Sequence, residues 1–192
     1  MKTLLEISEA YSAQSCYEGT DKQVVHGYLD HYEELLKPYR NTPDAKVVEV
    51  GICSGACLLM WREYFADATV WGIDKYDKRY GPVRKANDDR LIFIHQEIEQ
   101  FVAFDDVFED NSLDVVIDDA THYVYDQFLS VLYFIQKLKP GGLLVVEDCP
   151  WSTIWHLFKG VSPHVQVIDN RGPGRHKLSV MVIIKKEGNY GG

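Results

Sequence analysis

The amino-acid sequence predicts an α/β domain built around a mostly parallel β-sheet. Short runs rich in valine, isoleucine and leucine alternate with amphipathic stretches along most of the 192 residues, a pattern typical of parallel strands joined by helices. The last two apolar runs are joined by too few residues for a helical crossover, so they are expected to pair in antiparallel fashion. The predicted sheet therefore has seven strands, an antiparallel C-terminal strand and helices on both faces.

Seven apolar runs define the predicted strands, which cover residues 47–52, 69–74, 91–96, 113–119, 142–148, 164–169 and 178–186. Helices are predicted at 56–65 and 123–137, where apolar residues recur every three or four positions. The sequence from Lys139 to Gly142 contains proline and two glycines, which should end the second helix. The length suits one buried core, so residues 1–192 are expected to form a single domain.

The N-terminal segment, residues 1–40, is also predicted to be helical. Apolar residues keep helical spacing from Val24 to Leu36, and Pro38 should stop the helix. The segment also carries polar and aromatic residues that a packing helix does not need, among them Lys22 and His26. It is therefore expected either to cover the functional site as a lid or cap, or to pack on the core with one solvated face.

Composition excludes several classes of protein. The formal net charge is -9, which repels nucleic-acid phosphates and therefore argues against a nucleic-acid partner. No apolar run approaches the roughly 18 residues of a membrane helix, and the acidic residues Glu6 and Glu9 do not suit a signal peptide. The sequence therefore predicts a cytoplasmic protein without a membrane partner. The four cysteines lack metal-binding spacing and are expected to be reduced thiols that fill core space.

A cofactor site is predicted where the first two strands end. The first strand runs into Glu49-Val-Gly51-Ile-Cys-Ser54-Gly55, in which the glycines allow a tight turn and close approach of a ligand. Asp74 ends the second strand and can accept hydrogen bonds from ribose hydroxyls. The turn lacks the G-x-G-x-x-G pattern that holds a pyrophosphate, which favours S-adenosylmethionine (SAM) over NAD. A domain that binds neither nucleotide is the remaining alternative.

Gln96, at the end of the third predicted strand, has two interpretations. It is expected either to contact the adenine edge or to lie in a surface loop. The tryptophans after the fifth strand, Trp151 and Trp155, are similarly expected either to line an acceptor pocket or to pack in the core.

Carboxylates follow the fourth and fifth predicted strands and should meet at one edge of the sheet. Asp119, Glu147 and Asp148 are the candidate ligands, and such all-oxygen sets favour Mg²⁺, or else Mn²⁺ or Ca²⁺, over zinc. Acids at strand ends also serve as helix caps or solvated loop residues, which is the alternative. His122 lies three residues beyond Asp119 and is expected either to accept a proton or to have a structural role.

Several stretches resemble a known family. They are GTDK (19–22), HGY (26–28), HY (31–32), EVGICSGACLLMW (49–61), YFADATVWGIDK (64–75), DDATH (118–122), LKPGGLLVVED (138–148) and VIDNR (167–171). In these stretches the chain resembles the metal-dependent SAM O-methyltransferases that act on sugar hydroxyls of macrolide antibiotics. It also resembles the cephalosporin hydroxylase-like and rhamnosyl O-methyltransferase group. The family's third strand often ends in Gly-Asp-Gln, whereas this chain has Ile94-His95-Gln96.

The resemblance implies a Rossmann-like class I SAM methyltransferase fold and a set of site residues. Mg²⁺ would be held by Asp119, Glu147 and Asp148, with His122 as the general base. The SAM pocket would be formed by Glu49, Gly51, Ser54, Gly55, Asp74 and Gln96.

The expected function is Mg²⁺-dependent transfer of a methyl group from SAM to a hydroxyl of a sugar or glycosylated small molecule, in a possible homo-oligomer. The alternatives are methylation of another diol, such as a catechol, a non-catalytic SAM-binding protein, and a metal-dependent hydroxylase. Catechol-type enzymes resemble this chain in using Mg²⁺, but they end the metal set in Asp-Asn, where this chain has Glu147-Asp148. The sequence shows no evident 2-His-1-carboxylate set for a hydroxylase.

Overall fold

A seven-stranded sheet forms the centre of the computed structural model, which describes residues 1–76, 88–97, 100, 107–150 and 155–187, without the side chains of residues 155 and 157. The strands are β1 (Lys46–Val50), β2 (Thr69–Asp74), β3 (Leu91–His95), β4 (Leu113–Asp118), β5 (Leu138–Val146), β6 (Val165–Asp169) and β7 (Val180–Lys185). Their order in the sheet is β3-β2-β1-β4-β5-β7-β6. The first five pair in parallel, and β7 runs antiparallel to β5 and β6. The predicted sheet is therefore confirmed, including its antiparallel C-terminal strand.

The strand order creates a crevice at one edge of the sheet. From β1 the chain proceeds outward to β2 and β3, then returns to the other side of β1 with β4. Open parallel sheets bind ligands where the order reverses, at the carboxyl ends of the strands. Val50 pairs with Asp118, and Asp118 pairs with Val146, so β1, β4 and β5 end at the same level. Residues that follow these three strands are thus brought together.

Helices cover both faces of the sheet. In the described parts of the chain these are α1 (Leu4–Ser8), α2 (Leu29–Leu36), α3 (Ala56–Tyr64), α4 (Val124–Lys137) and α5 (Trp155–Phe158). The first three pack on one face, and α4 packs on the other. Neighbouring residues of β1 point to opposite faces, so Val47 joins the first core cluster and Val48 the second. Burial on both faces explains why the strands read as continuous apolar runs rather than alternating ones.

The N-terminal segment differs from the predicted continuous helix. Only α1 and α2 are helical. The intervening residues 9–28, here called the cap segment, form turns and bends with one β-bridge between Ser12 and Thr20. Gly27 adopts a left-handed conformation with φ of +68°, which interrupts a helix just before α2. The apolar spacing was misleading because Val24 is 39% exposed, whereas the polar Lys22 is fully buried.

The remaining element boundaries differ from prediction by a few residues. The largest difference is in β5, which begins at Leu138 rather than at residue 142. Leu113 pairs with Leu138 and Val115 with Leu143, so the glycine-containing stretch forms an irregularity within the ladder instead of a loop before it. Within the described residues, no helix has the length and apolar character needed to cross a membrane.

Candidate active site

A cavity of about 580 Å³ opens at the carboxyl edge of the sheet, at the crevice between β1 and β4. Its walls come from the ends of five strands and from the cap segment. Residues that line it are Cys16, Tyr17, Asp21, His26, Val50, Gly51, Cys53, Ile73, Asp74, Lys75, Tyr76, Gln96, Asp119, Ala120, Thr121, His122, Tyr123, Glu147 and Asp148. A concave site with many polar groups at this edge is suited to a nucleotide-like ligand and a second substrate.

The loop after β1 is fixed by the carboxylate of Asp74. One oxygen of this carboxylate accepts hydrogen bonds from the backbone amides of Ile52 and Cys53, both at 3.1 Å, and the other accepts from Tyr76 at 2.9 Å. Gly51 has φ of +84°, and a Cβ there would lie 2.3 Å from the carbonyl oxygen of Asp119. Glycine is therefore required for the close approach of the loops after β1 and β4.

A buried lysine of the cap segment occupies the centre of the acidic cluster. Lys22 Nζ lies 2.7 Å from Asp119 Oδ2, 2.7 Å from Glu147 Oε1 and 3.2 Å from Glu49 Oε1. Tyr32 of α2 also donates a hydrogen bond of 2.5 Å to Glu147 Oε1. The cluster thus contains its own cation, which offsets part of the repulsion among the carboxylates.

Burial and charge together set the protonation of this cluster. Burial alone lowers the pKa of Lys22, but the three carboxylates outweigh it and hold this pKa well above its ordinary value. Burial raises the pKa of Glu49 to about 7, despite the opposing effect of Lys22. Burial also raises the pKa of Glu147 well above its ordinary value. Lys22 is therefore charged at neutral pH, and it stabilises carboxylates that would otherwise be costly to ionise.

Asp148 is held by two other residues of the N-terminal segment. Tyr28 donates a hydrogen bond of 2.7 Å to Asp148 Oδ1, and His26 Nδ1 lies 3.1 Å from the same oxygen. Burial raises the pKa of Asp148, but the interactions with His26 and Tyr28 outweigh it, so this pKa is lowered. Asp148 is thus an anion at neutral pH whose position is fixed from the cap segment.

His122 faces the same cavity from the loop after β4. Ligand atoms of Asp119, His122 and Asp148 all lie within 4.8 Å of one another. His122 Nδ1 is buried and has no hydrogen-bond partner among the described residues. His122 and Asp148 have φ of +58° and +52°, a conformation that costs energy in residues other than glycine. Such strain persists where the surrounding structure fixes it, and it is common at functional sites.

The fold also brings together a set that was not evident in the sequence. His26, Asp148 and His176 form a 2-His-1-carboxylate group whose ligand atoms lie within 4.8 Å of one another. His26 Nδ1 is, however, already within 3.0 Å of Ser179 Oγ as well as near Asp148. These contacts are those of a histidine that orients a carboxylate.

The structure brings most of the predicted site residues to the cavity wall, and three of them lie elsewhere. The cavity wall contains Gly51, Asp74, Gln96, Asp119, His122, Glu147 and Asp148. Glu49 lies beneath it and contacts Lys22, whereas Ser54 donates through its hydroxyl to the carbonyl oxygen of Gly19 at 3.2 Å. Gly55 caps α3 in a left-handed conformation. Trp151 and the Trp155 side chain lie outside the described residues, so their predicted role is untested.

The role of the cap segment could be seen only in part from the sequence. Its polar residues suggested a cover for the site, but its charged contact with the acids was not predicted. The loop between β6 and β7, residues 170–179, holds the segment in place: Asn170 donates to the carbonyl oxygens of His26 and Gly27, and Arg175 donates to that of Gln23. The Arg175 guanidinium also packs on Gly27, where a Cβ would lie 2.4 Å from Arg175 Cζ.

The fold and the position of this cavity are those of a methyltransferase-type α/β protein. A similar solved structure is that of the MycE methyltransferase from the mycinamycin biosynthetic pathway in complex with Mg, S-adenosylhomocysteine (SAH) and mycinamycin VI. It has 21% sequence identity and a TM-score of 0.74, and the match covers 100% of this chain and 56% of that one. Residues 48–146, just over half of the chain, match the methyltransferase domain family. The chain belongs to this family.

Curated relatives share a further part of the sequence. The 8-demethyl-8-alpha-L-rhamnosyl tetracenomycin-C 2'-O-methyltransferase of Streptomyces olivaceus is 30% identical over 150 residues, which are 74% of this chain and 38% of that protein. Demethylmacrocin O-methyltransferase of Streptomyces fradiae is 26% identical over 169 residues, 84% of this chain and 39% of that protein. The chain thus spans about two fifths of the length of these relatives.

Proposed function

We propose that this domain transfers the methyl group of SAM to a hydroxyl of a sugar or a glycosylated small molecule, with Mg²⁺ bound beside the acceptor. The observation that carries the proposal is the presence, in one cavity, of the Asp74-bound loop and the Asp119–His122–Asp148 group. The loop is suited to binding a nucleoside. The group of two carboxylates and a histidine is suited to binding a cation and accepting a proton. The names of both curated relatives support methylation of an oxygen, and the name of the Streptomyces olivaceus protein supports a rhamnosyl group as the acceptor.

The chemistry of the donor set fits a hard divalent cation. Asp119 and Asp148 supply carboxylate oxygens at the cavity, and Asp148 has a lowered pKa, so it is available as an anionic ligand. Lys22 balances only one of the negative charges around it. Glu147, the third predicted ligand, lines the same cavity, but among the described residues its oxygens are not part of the closely spaced group formed by Asp119, His122 and Asp148, and its Oε1 contacts Lys22 and Tyr32. We therefore assign Asp119 and Asp148 as the principal ligands, with Glu147 as the residue that fixes Lys22.

The side chains of this domain have distinct roles in the proposed reaction. Asp74 and the loop at Gly51 would bind the ribose and the rest of the nucleoside, and Gln96, which also lines the cavity, would contact the adenine edge. A cation held by Asp119 and Asp148 would lower the pKa of the acceptor hydroxyl. His122, which lines the cavity, would accept the hydroxyl proton. The walls of the cavity would align the acceptor oxygen with the methyl group.

Calorimetric titration tests both parts of the proposal. SAM and SAH are titrated into the protein with and without Mg²⁺, and Mg²⁺ is titrated alone. We expect both nucleosides to bind, and Asp119→Asn to abolish the Mg²⁺ signal. Asp67→Asn is the matched control, because Asp67 is exposed in the turn after α3 and should leave the signal unchanged.

The results of these measurements distinguish the proposed function from the alternative functions. Absence of SAM and SAH binding would contradict the proposal as a whole. Binding of SAM without methyl transfer to any member of a glycoside panel would favour a non-catalytic SAM-binding protein. Transfer that persists fully in EDTA would contradict the role of the cation but leave methyl transfer intact.

A further inference from the structure

Two cysteines face each other across the wall of the cavity. Cys16 Sγ of the cap segment lies 2.8 Å from Cys53 Sγ of the loop after β1. Both residues line the cavity and are partly exposed. A disulfide bond measures about 2.05 Å, so the two sulfurs are already within about 1 Å of the bonded separation. The sequence-based expectation that all four thiols fill core space is therefore wrong for these two.

The backbones on either side of this pair are also joined. The amide of Ser54 donates to the carbonyl oxygen of Cys16 at 3.3 Å, and the Ser54 hydroxyl donates to that of Gly19 at 3.2 Å. The short distance between the two sulfurs is thus accompanied by hydrogen bonds that join the cap segment to the loop after β1. Cys57 and Cys149, by contrast, are buried in the two core clusters.

We propose that Cys16 and Cys53 are a modification site, at which a reversible disulfide fastens the cap segment to the cofactor loop. The oxidant is a small-molecule disulfide of the glutathione type. One thiolate attacks it, forming a mixed disulfide and releasing one glutathione thiol. The second thiolate then attacks the cysteine sulfur of the mixed disulfide, which forms the Cys16–Cys53 bond and releases the second glutathione thiol. The two protons lost by the protein thiols end on the two glutathione molecules, and excess thiol reverses the sequence.

The position of the cross-link determines its effect. Cys53 donates its amide to Asp74, whereas Cys16 belongs to the segment that carries Lys22 and His26 to the acids. The bond therefore fixes the spacing between the loop expected to hold SAM and the segment that closes the cavity beside it. The oxidised protein should exchange nucleoside more slowly than the reduced protein, an effect that rests on the proposed SAM site.

The hydrogen bond to Cys53, together with burial, raises the pKa of Cys16. Thiol–disulfide exchange proceeds through the thiolate, so the reaction is expected to take minutes to hours rather than seconds. Because of this slow reaction, the test uses an incubation of several hours.

The experiment compares the reduced protein with protein incubated for several hours in glutathione disulfide. Non-reducing digestion and mass spectrometry should find a peptide that links Cys16 to Cys53. The linked protein should melt about 5–10 °C higher, because the bond closes a loop across 37 positions of the unfolded chain. Release of a fluorescent SAH analogue, followed by stopped flow, should slow on the order of tenfold.

Matched variants identify the source of these effects. Cys16→Ser and Cys53→Ser should each remove the linked peptide, the shift in melting temperature and the slower release. Cys57→Ala should retain all three, because its sulfur lies in the core. Circular dichroism under reducing conditions shows which variants fold, and the wild type treated with a thiol-blocking reagent replaces any that do not.

Each result has a defined meaning. Glutathione adducts without a Cys16–Cys53 peptide would overturn the proposal, and so would a linked protein that releases the analogue at the reduced rate. If the reduced protein does not bind SAH at all, the proposed function fails. The peptide map and the melting temperature then still decide whether the disulfide forms.

Discussion

Lys22 Nζ and Glu147 Oε1 lie 2.7 Å apart, and both side chains are almost wholly buried, with exposures of 1% and 2%. The pair joins the cap segment to the carboxyl end of β5 across 125 positions of sequence. Because Asp119 and Glu49 contact the same ammonium, one lysine connects the ends of β1, β4 and β5. The geometry of the acidic cluster therefore depends on a residue outside the sheet.

Replacement of this lysine should destabilise the fold. Lys22→Met leaves buried carboxylates without their cation, and removing one partner of a buried pair typically costs about 3–5 kcal/mol. Urea denaturation measures the loss in the free energy of unfolding. Lys2→Met is the control, because the Lys2–Glu63 pair is exposed and should contribute less than about 1 kcal/mol. Equal losses in the two variants would contradict the role assigned to Lys22.

Gly51 should tolerate no side chain. In Gly51→Ala a Cβ would meet the backbone of Asp119 and would also adopt a left-handed conformation. Gly174→Ala separates the two effects, since Gly174 has φ of +80° and no atom within 4 Å of the added Cβ. We expect a cost of about 1–2 kcal/mol at Gly174 and a larger one at Gly51, with loss of SAH binding only at Gly51. Similar behaviour of the two variants would show that the close approach is not required.

Substitution of His122 should affect turnover and leave nucleoside binding largely intact. His122→Asn suits this test, because asparagine tolerates the left-handed backbone of this position better than alanine. Loss of a general base lowers kcat by about 10²- to 10⁴-fold. Initial rates and SAH titration give the two quantities, with His164→Asn at the far edge of the sheet as control. A collapse of SAH affinity would instead indicate a structural role.

Asp74 should contribute to nucleoside affinity through the loop that it holds. Asp74→Ala leaves the amides of Ile52 and Cys53 without their acceptor and removes the expected partner of the ribose. A hydrogen bond to a charged group contributes about 1.5–3 kcal/mol, so SAH should bind at least about tenfold more weakly. Calorimetry measures this change, and Asp67→Ala is the exposed control. An unchanged affinity would place the nucleoside elsewhere.

The sequence predicted the sheet well because the strands are buried on both faces. An apolar run such as residues 69–74 is then recognisable without knowledge of its neighbours, and its observed limits agree with prediction. The acids at positions 119, 147 and 148 could also be grouped in advance, because parallel strands end at the same edge. The strands were inferred from local sequence patterns, and the grouping of the acids was inferred from the general rule that parallel strands end at one edge of the sheet.

Contacts between distant segments could not be read in the same way. Two of the partners of Lys22, Asp119 and Glu147, lie 97 and 125 positions away, and nothing near residue 22 shows that its ammonium is buried. The same holds for Cys16 and Cys53, which meet only after the cap segment docks. The apolar spacing from Val24 to Leu36 predicted a longer helix. Tertiary contacts, about which this spacing carries no information, determine the turns of residues 9–28 instead.

The loop between β6 and β7 affects how the sequence of such a domain can change during evolution. Since β7 runs antiparallel, this loop returns to the carboxyl edge, where Asn170 and Arg175 hold the cap segment from outside the core. Substitution of Asn170 or Arg175 should therefore change how the cap segment is set against the acids while the strands stay unchanged. This hairpin is thus a place where natural drift or directed evolution can change the position of the cap segment without replacing a residue of the two core clusters.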